Sequence, residues 1–182
     1  MSLLDHPDAK AFILHWGEMG THWGVNRSVA QIHALLYLSS QPITAEEIAD
    51  TLGLARSNVS TSLKELQGWG LVSLTHLMGD RRDHFEAKKD LWDLLLTIIE
   101  ERKRREIDPT LTMLRQCMLE AEEDKETAPE VKERIGRMLT FIETLADWYG
   151  QMSKLPKSTL VTLMKMGGKV ARFVGRKPRD AA

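Results

Sequence analysis

The 182-residue chain has a single cysteine, Cys117, so it cannot close a disulfide within itself. It has no run of the roughly 18 uninterrupted apolar residues that a membrane-spanning helix needs. Its opening residues, MSLLDHPDAK, lack the basic stretch and apolar core of a secretory signal. These absences point to the cytoplasm and away from a membrane. Charge of one sign is missing too: Lys+Arg 25 stand against Asp+Glu 26, a formal net charge of −1. Such a balance neither supports nor excludes a nucleic-acid partner, and only the placement of the charges can decide.

Catalytic signatures are also lacking. The histidines His6, His15, His22, His33, His76 and His84 form no HExxH pattern. Cys117 has no neighbouring His or Asp to activate it, and no glycine-rich phosphate loop appears. His15 and His22 would share a helical face, but a metal there would need further ligands, and buried or interfacial histidines are the simpler account. The expectation is a protein that is not an enzyme and holds no cofactor or metal.

What is present is mostly helical periodicity. The length suits one domain, or one small domain with an appended helical region. A first helix over Asp8 to His22 is expected to turn Phe12, Ile13, Trp16 and Met19 inward, with Gly17, Gly20 and Gly24 weakening and then ending it. Asn26 can cap the next helix, which carries Val29, Ile32, Leu35, Leu36 and Leu38. In ITAEEI, Thr44 and Glu47 are spaced as a capping box, with Ile43 and Ile48 as its hydrophobic staple. That short helix ends at Leu52, and Gly53 permits a left-handed turn. Val59, Leu63 and Leu66 then mark one face of a helix running from Arg56 to about Gly68.

Past Gly70 the pattern shortens. LVSLTHL and HFEA read as two strands joined by MGDRRD, a hairpin. LWDLLLTII is dense enough for burial on most sides, and Asp108-Pro109 fits a helix restart. Thr127 and Glu130 are spaced as a second capping box. The helix behind them repeats Val131, Ile135, Met138, Ile142, Leu145, Tyr149 and Met152 by fours and threes, the seam of a helix seeking a partner. Pro156 starts a last helix with Leu160, Leu163, Met164, Val170 and Val174. The basic residues Lys165, Lys169, Arg172, Arg176, Lys177 and Arg179 read as a solvated face.

The order of three helices, hairpin and more helices is that of a winged helix-turn-helix. One helix must enter the major groove, an earlier one must brace it, and a basic hairpin tip must reach the neighbouring backbone or minor groove. About 100° per residue puts Ser57, Thr61 and Lys64 opposite the Val59–Leu63–Leu66 face, with Asn58 and Ser60 on the flanks. Those five are small or polar, with one cation and no acid. Hydroxyls and amides can bond base edges or phosphates, and Lys64 can neutralise a phosphate. A surface helix of weak propensity is the competing account. Arg81 and Arg82 at the hairpin tip favour the DNA reading.

The phrases GVNRSVAQIHALLYLS, ITAEEIADTLGLARSNVSTSLKELQGWGLV, GDRRDHFEAKKDLWDLL and ERKRREIDPTL, over roughly residues 10–120, resemble the GbsR-like branch of the MarR-type winged helix-turn-helix transcriptional regulators. The resemblance implies a mainly α fold: a winged helix-turn-helix of three helices and a two-stranded wing over residues 1–90, and a helical dimerisation or effector region over 91–182. It implies a cytoplasmic homodimeric repressor of double-stranded DNA, often with a small-molecule effector. In the best-known branch that effector is choline, which sets Trp16, Trp23, Tyr37, Trp69, Trp92, Trp148 and Tyr149 as candidates for an aromatic cage around a quaternary ammonium. Carried onto this chain, the recognition helix spans Arg56 to about Gly68 and the wing spans Gly79 to Asp83. Asp80 would orient Arg81 or Arg82 toward the minor groove.

One position departs from the pattern. Many members of the family have Ser where this chain has Ala55, and alanine cannot cap. Ser57 would then be free to cap instead, shortening the helix. A homodimer through the Val131–Met152 seam is expected because two heads read two half-sites about 34–36 Å apart. The alternative function is a helical adaptor that uses a winged fold for protein–protein contact.

Overall fold

The computed structural model describes residues 6–124 and 126–167. Val170, Val174 and the basic residues from Lys169 onward lie outside the described residues. The chain forms two compact units, residues 1–101 and 102–182.

In the first unit, α1 spans Pro7–His22 and α2 spans Arg27–Leu38. Of the residues expected on the inward face of α1, Ile13 is buried and Trp16 packs partly buried against the core, but Phe12 is not inward. Ile13, Gly17 and Gly20 are buried, while Phe12 is exposed and stacks on Trp16. The two glycines make a close helix crossing. A Cβ at Gly20 would stand 2.5 Å from the Ala30 Cβ, and one at Gly17 would stand 2.6 Å from the Gln31 Cγ. Their cost in helix propensity is offset by contact that no larger residue allows. Gly24, at φ 74°, ends the segment.

Asn26 caps α2 as expected, its Oδ1 accepting from the Ser28 N–H at 2.8 Å. The other end of α2 has a cap that sequence reasoning missed. The Lys89 ammonium donates to the carbonyls of Leu36, Tyr37 and Ser39 at 2.6–2.8 Å and lies over the Tyr37 ring. A cation on the last carbonyls of a helix is favoured by the helix dipole.

The two residues Ile43–Thr44 form β1, which the sequence did not announce because so short a strand shows no alternation. The capping box holds as expected: Thr44 Oγ1 accepts from the Glu47 N–H at 3.2 Å, and Glu47 Oε2 accepts from the Thr44 N–H at 2.7 Å. The Thr44 N–H and then the Thr44 hydroxyl, both donating to Oε2, hold the Glu47 carboxyl below its usual range. Helix α3 runs Ala45–Leu52 and closes on Gly53 at φ 64°. Helix α4 runs Arg56–Gly68. Strands β2 (Val72–Thr75) and β3 (His84–Ala87) follow, and the antiparallel sheet has the order β1-β3-β2. His84 pairs with Thr44 on one side and Thr75 on the other.

Ile32, Leu35, Leu36, Ile48, Val59, Leu63, Leu66, Leu71, Val72 and Phe85 share one core. Asp90 caps α5 (Leu91–Arg102), accepting from the N–H groups of Trp92 and Asp93 at 2.9 Å. The dense apolar run in α5 is not buried on most sides: Leu94 is buried and packs on the first core, with Ile98 partly buried beside it, whereas Leu91 and Leu95 are exposed.

The second unit holds a π-helical turn at Lys103–Ile107, then α6 (Asp108–Glu123), α7 (Pro129–Met152) and α8 (Lys157–Met166). Helix α6 starts at Asp108-Pro109 as expected, with Pro109 in its first turn, but the cap residue is Ile107 and not Asp108. Ile107 and Asp108 keep helical backbone angles, so the π turn runs directly into α6. The second capping box is absent. Ala128 is the cap residue of α7, and the Thr127 hydroxyl donates instead to Asp124 Oδ2 at 2.6 Å. Helices α6 and α7 pack against each other, with Met118 facing Gly136 and Arg115 donating to Glu143 at 2.8 Å.

His33 gives a stability prediction. It is buried beside Trp16, and its Nε2 has no hydrogen-bond partner among the described residues. Burial, helped by the Lys89 ammonium, pushes its pKa down from 6.5 to about 4. Below pH 6.5 the unfolded chain gains a proton that the folded chain refuses, so stability falls as pH drops toward 4. The loss through this site reaches about 3 kcal/mol. Urea unfolding across this range should show a shallower loss in His33→Gln; parallel curves would refute the assignment.

Candidate nucleic-acid interface

Helix α4 is oriented by its apolar stripe. Val59, Leu63 and Leu66 are at most 2 % exposed, and Ser62 is buried with them. Ser57, Ser60, Thr61 and Lys64 are left exposed on the other side, where the helical wheel put them. This face is short in reach and free of carboxylates.

Two of the expected contacts sit differently. Asn58 is half-buried: its Nδ2 donates to Ser28 Oγ at 3.0 Å and its Oδ1 accepts from Ser62 Oγ at 3.3 Å. Its amide ties α4 to the start of α2. Ser28 lies far from Asn58 in sequence, so no local pattern could have shown this bond. Arg56, the first residue of α4, is exposed and ion-paired to Glu46 of α3.

The start of α4 settles the capping question. Ala55 has the extended backbone of a cap residue, φ −63° and ψ 140°, but supplies no side-chain hydrogen bond. Ser57 does not replace it. The helix begins at Arg56, and Ser57 stays exposed within the first turn.

The hairpin tip is built on Gly79 at φ 86°, with the Asp80 N–H donating to the Leu77 carbonyl at 3.1 Å. Asp80 then grips Arg82. Its Oδ1 accepts the Arg82 backbone N–H at 2.9 Å, and its two oxygens accept Nε at 3.0 Å and Nη2 at 2.5 Å. The Arg82 hydrogen bonds hold the Asp80 carboxyl well below the usual carboxylate range, and Asp80 raises the Arg82 guanidinium in turn. A forked pair of this kind fixes the plane of an arginine. Arg81 is exposed and makes no ion pair among the described residues. Beneath the tip, His84 is buried, its Nδ1 2.9 Å from the Arg82 carbonyl and its Nε2 3.6 Å from Asp80 Oδ2.

The residues expected to form a seam on α7 are split by the structure. Ile135, Ile142, Tyr149 and Met152 are half-buried, whereas Val131, Met138 and Leu145 are exposed. Phe141 and Trp148 join the exposed set, and the five range from 47 to 60 % exposed. Sequence reasoning missed Phe141 because it falls between heptad positions.

Among the rings named for an aromatic cage, Trp16 stacks on Phe12 and Trp69 packs partly buried against the core. Among the described residues no group of His, Cys, Asp or Glu could hold a metal, and no helix is long and apolar enough to cross a membrane.

A bracing helix, a helix with an outward polar face and a three-stranded wing define a winged helix-turn-helix domain. Residues 23–83 match the family model of the MarR family. The chain is 20 % identical over 135 residues to the putative HTH-type transcriptional regulator YvaV of Bacillus subtilis, covering 73 % of this chain and 76 % of that protein. It is 21 % identical over 139 residues to the HTH-type transcriptional repressor GbsR of the same organism, covering 75 % of this chain and 77 % of that one. The GbsR-like resemblance read from the sequence is thus found again. A crystal structure of a transcriptional regulator shares the fold at a TM-score of 0.63 and 19 % identity, covering 82 % of this chain and all of that one.

Restoring the missing cap gives a prediction. Ala55→Ser puts an acceptor at a position whose backbone is already shaped for it, and should raise stability by about 0.5–1 kcal/mol. Equal thermal midpoints for the two proteins would show that the first turn gains nothing from a side-chain acceptor.

Proposed function

We propose that this MarR-type regulator is a homodimeric repressor that reads a palindromic operator. The observation that carries the reading is the pairing of a carboxylate-free outward face on α4 with an arginine clamped at the wing. Ser57, Ser60, Thr61 and Lys64 would meet base edges and phosphates in the major groove. Arg82, held in plane by Asp80, would enter the minor groove beside it, with Arg81 on the backbone. Asn58 supports this surface from behind by its bonds to Ser28 and Ser62. Arg56 would exchange Glu46 for a phosphate. The absent cap fits the same picture, since unpartnered N–H groups at a helix start suit a phosphate oxygen.

A second copy of the chain is the occupant we assign to α7. No residue of this 24-residue helix is buried. Met138, Phe141, Leu145 and Trp148 fall within an arc of about 80° on its free side. Unpartnered apolar surface of this extent marks an interaction site, and two half-sites need two heads. Relief by a small-molecule effector enters this reading through the resemblance alone. The Tyr37 ring already faces the Lys89 ammonium at 5.7 Å, so it is not open to a quaternary ammonium.

Binding to a duplex that the wild-type protein selects from a random pool tests the DNA surface. Affinity should fall steeply with salt, as counterion release requires. Lys64→Ala should lower the salt slope by about one, and Arg82→Ala should weaken binding about tenfold. Salt-independent binding, or Arg82→Ala binding unchanged at fixed salt, would sink this reading.

Sedimentation at micromolar concentration tests the dimer. The expected mass is twice 20.7 kDa. Phe141→Glu combined with Trp148→Glu should return the single-chain value. A wild-type protein that sediments as one chain would overturn the assignment of α7.

A further inference from the structure

His84 is a buried imidazole that the groove contacts do not use. It starts β3, the central strand, between Thr44 of β1 and Thr75 of β2. Its Nδ1 lies 2.9 Å from the Arg82 carbonyl oxygen, which can only accept, so Nδ1 carries a proton. The other nitrogen, Nε2, lies 3.6 Å from Asp80 Oδ2, the oxygen that also accepts Arg82 Nη2 at 2.5 Å. In the neutral ring this nitrogen turns a lone pair toward a carboxylate. With a second proton it presents an N–H to that carboxylate instead.

We propose that His84 is the positioning residue of the wing. It holds the backbone of Arg82 through Nδ1–H and faces, through Nε2, the carboxylate that fixes the Arg82 side chain. Both ends of Arg82 are therefore referred to one buried ring in the sheet. A second proton on that ring would place its N–H at the oxygen that already accepts Arg82 Nη2, so the ring and the guanidinium share Asp80 Oδ2. The charged groups around the ring are few. The wing supplies Asp80 and Arg82. From α3, Glu47 faces both His84 and Arg82, and Glu46 faces Arg82. The strand neighbours Thr44 and Thr75 do not titrate. His76 pairs with Asp83 further out on the wing, at 4.0 Å, and is the other histidine whose titration must be separated.

The inference rests on the reading of the wing as a DNA contact, and its test has a part that needs no DNA. In the full-length protein, nitrogen–proton NMR should show the Nδ1–H form of His84 at about pH 8, and the Arg82 Nε–H resonance should move as the ring titrates. His84→Gln should abolish that movement and His76→Gln should not. With the selected duplex at fixed salt, His84→Gln should bind about threefold more weakly than the wild-type protein. An Nε2–H ring, or an Arg82 resonance blind to the titration, would overturn the positioning role whether or not the protein binds DNA. If His84→Gln unfolds, Asp80→Asn takes its place and should remove the pH response of the Arg82 resonance; a response that survives would likewise overturn the proposal. A normal NMR response with no DNA binding would refute the DNA reading alone, and with it the affinity claim made here.

Discussion

The burial of Val59, Leu63 and Leu66 is the constraint from which the rest of the first unit follows. Rotating α4 by one residue, about 100°, would move a leucine to the surface and bring Ser60 or Lys64 into the core. The three side chains lock the helix against α2 and α3, and Asn58 completes the contact by donating to Ser28 of α2. Neither packing nor hydrogen bonding alone would suffice, because a helix built from serine, threonine and asparagine has little propensity of its own. Tertiary contact on one face supplies the stability, and the opposite face is left free of structural duty.

Charge is sorted in the same way. The chain as a whole is close to neutral, yet three acids near α4 and the wing are engaged by nearby partners. Glu46 pairs with Arg56, Glu47 closes the capping box on Thr44, and Asp80 holds Arg82. Lys64 and Arg81 face outward beside them. A near-zero total thus coexists with two outward cations, Lys64 and Arg81, beside acids that are already paired, which is why net charge was silent about partners.

The legible parts of the sequence were those encoded within a few residues. Asn26 and Ser28, Thr44 and Glu47, Gly53, and the Val59–Leu63–Leu66 face each carry their reason locally. The hairpin was legible through Gly79 and the paired short strands. What escaped depended on contacts across the chain. Gly17 and Gly20 read as weak helix until Ala30 and Gln31 were seen against them. Lys89 caps α2 from about fifty residues away. Asn58 looked like a groove residue because its partner Ser28 is distant. In the second unit, Thr127 and Glu130 had the right spacing for a cap, but the Asp124 carboxylate took the threonine hydroxyl. Spacing states an opportunity for a bond, and competition decides whether it forms.

Thr44 serves at once as a strand residue and as a helix cap. Its backbone pairs with His84 at the root of the wing, and its side chain and N–H complete the first turn of α3. There is no linker between these two duties in which slack could gather. The wing and the bracing helix therefore behave as one lever, and a load on the hairpin tip reaches α3 through a single residue. Any adjustment to the curvature of a bound duplex has to be made elsewhere, and the loosest seam on offer is the uncapped start of α4.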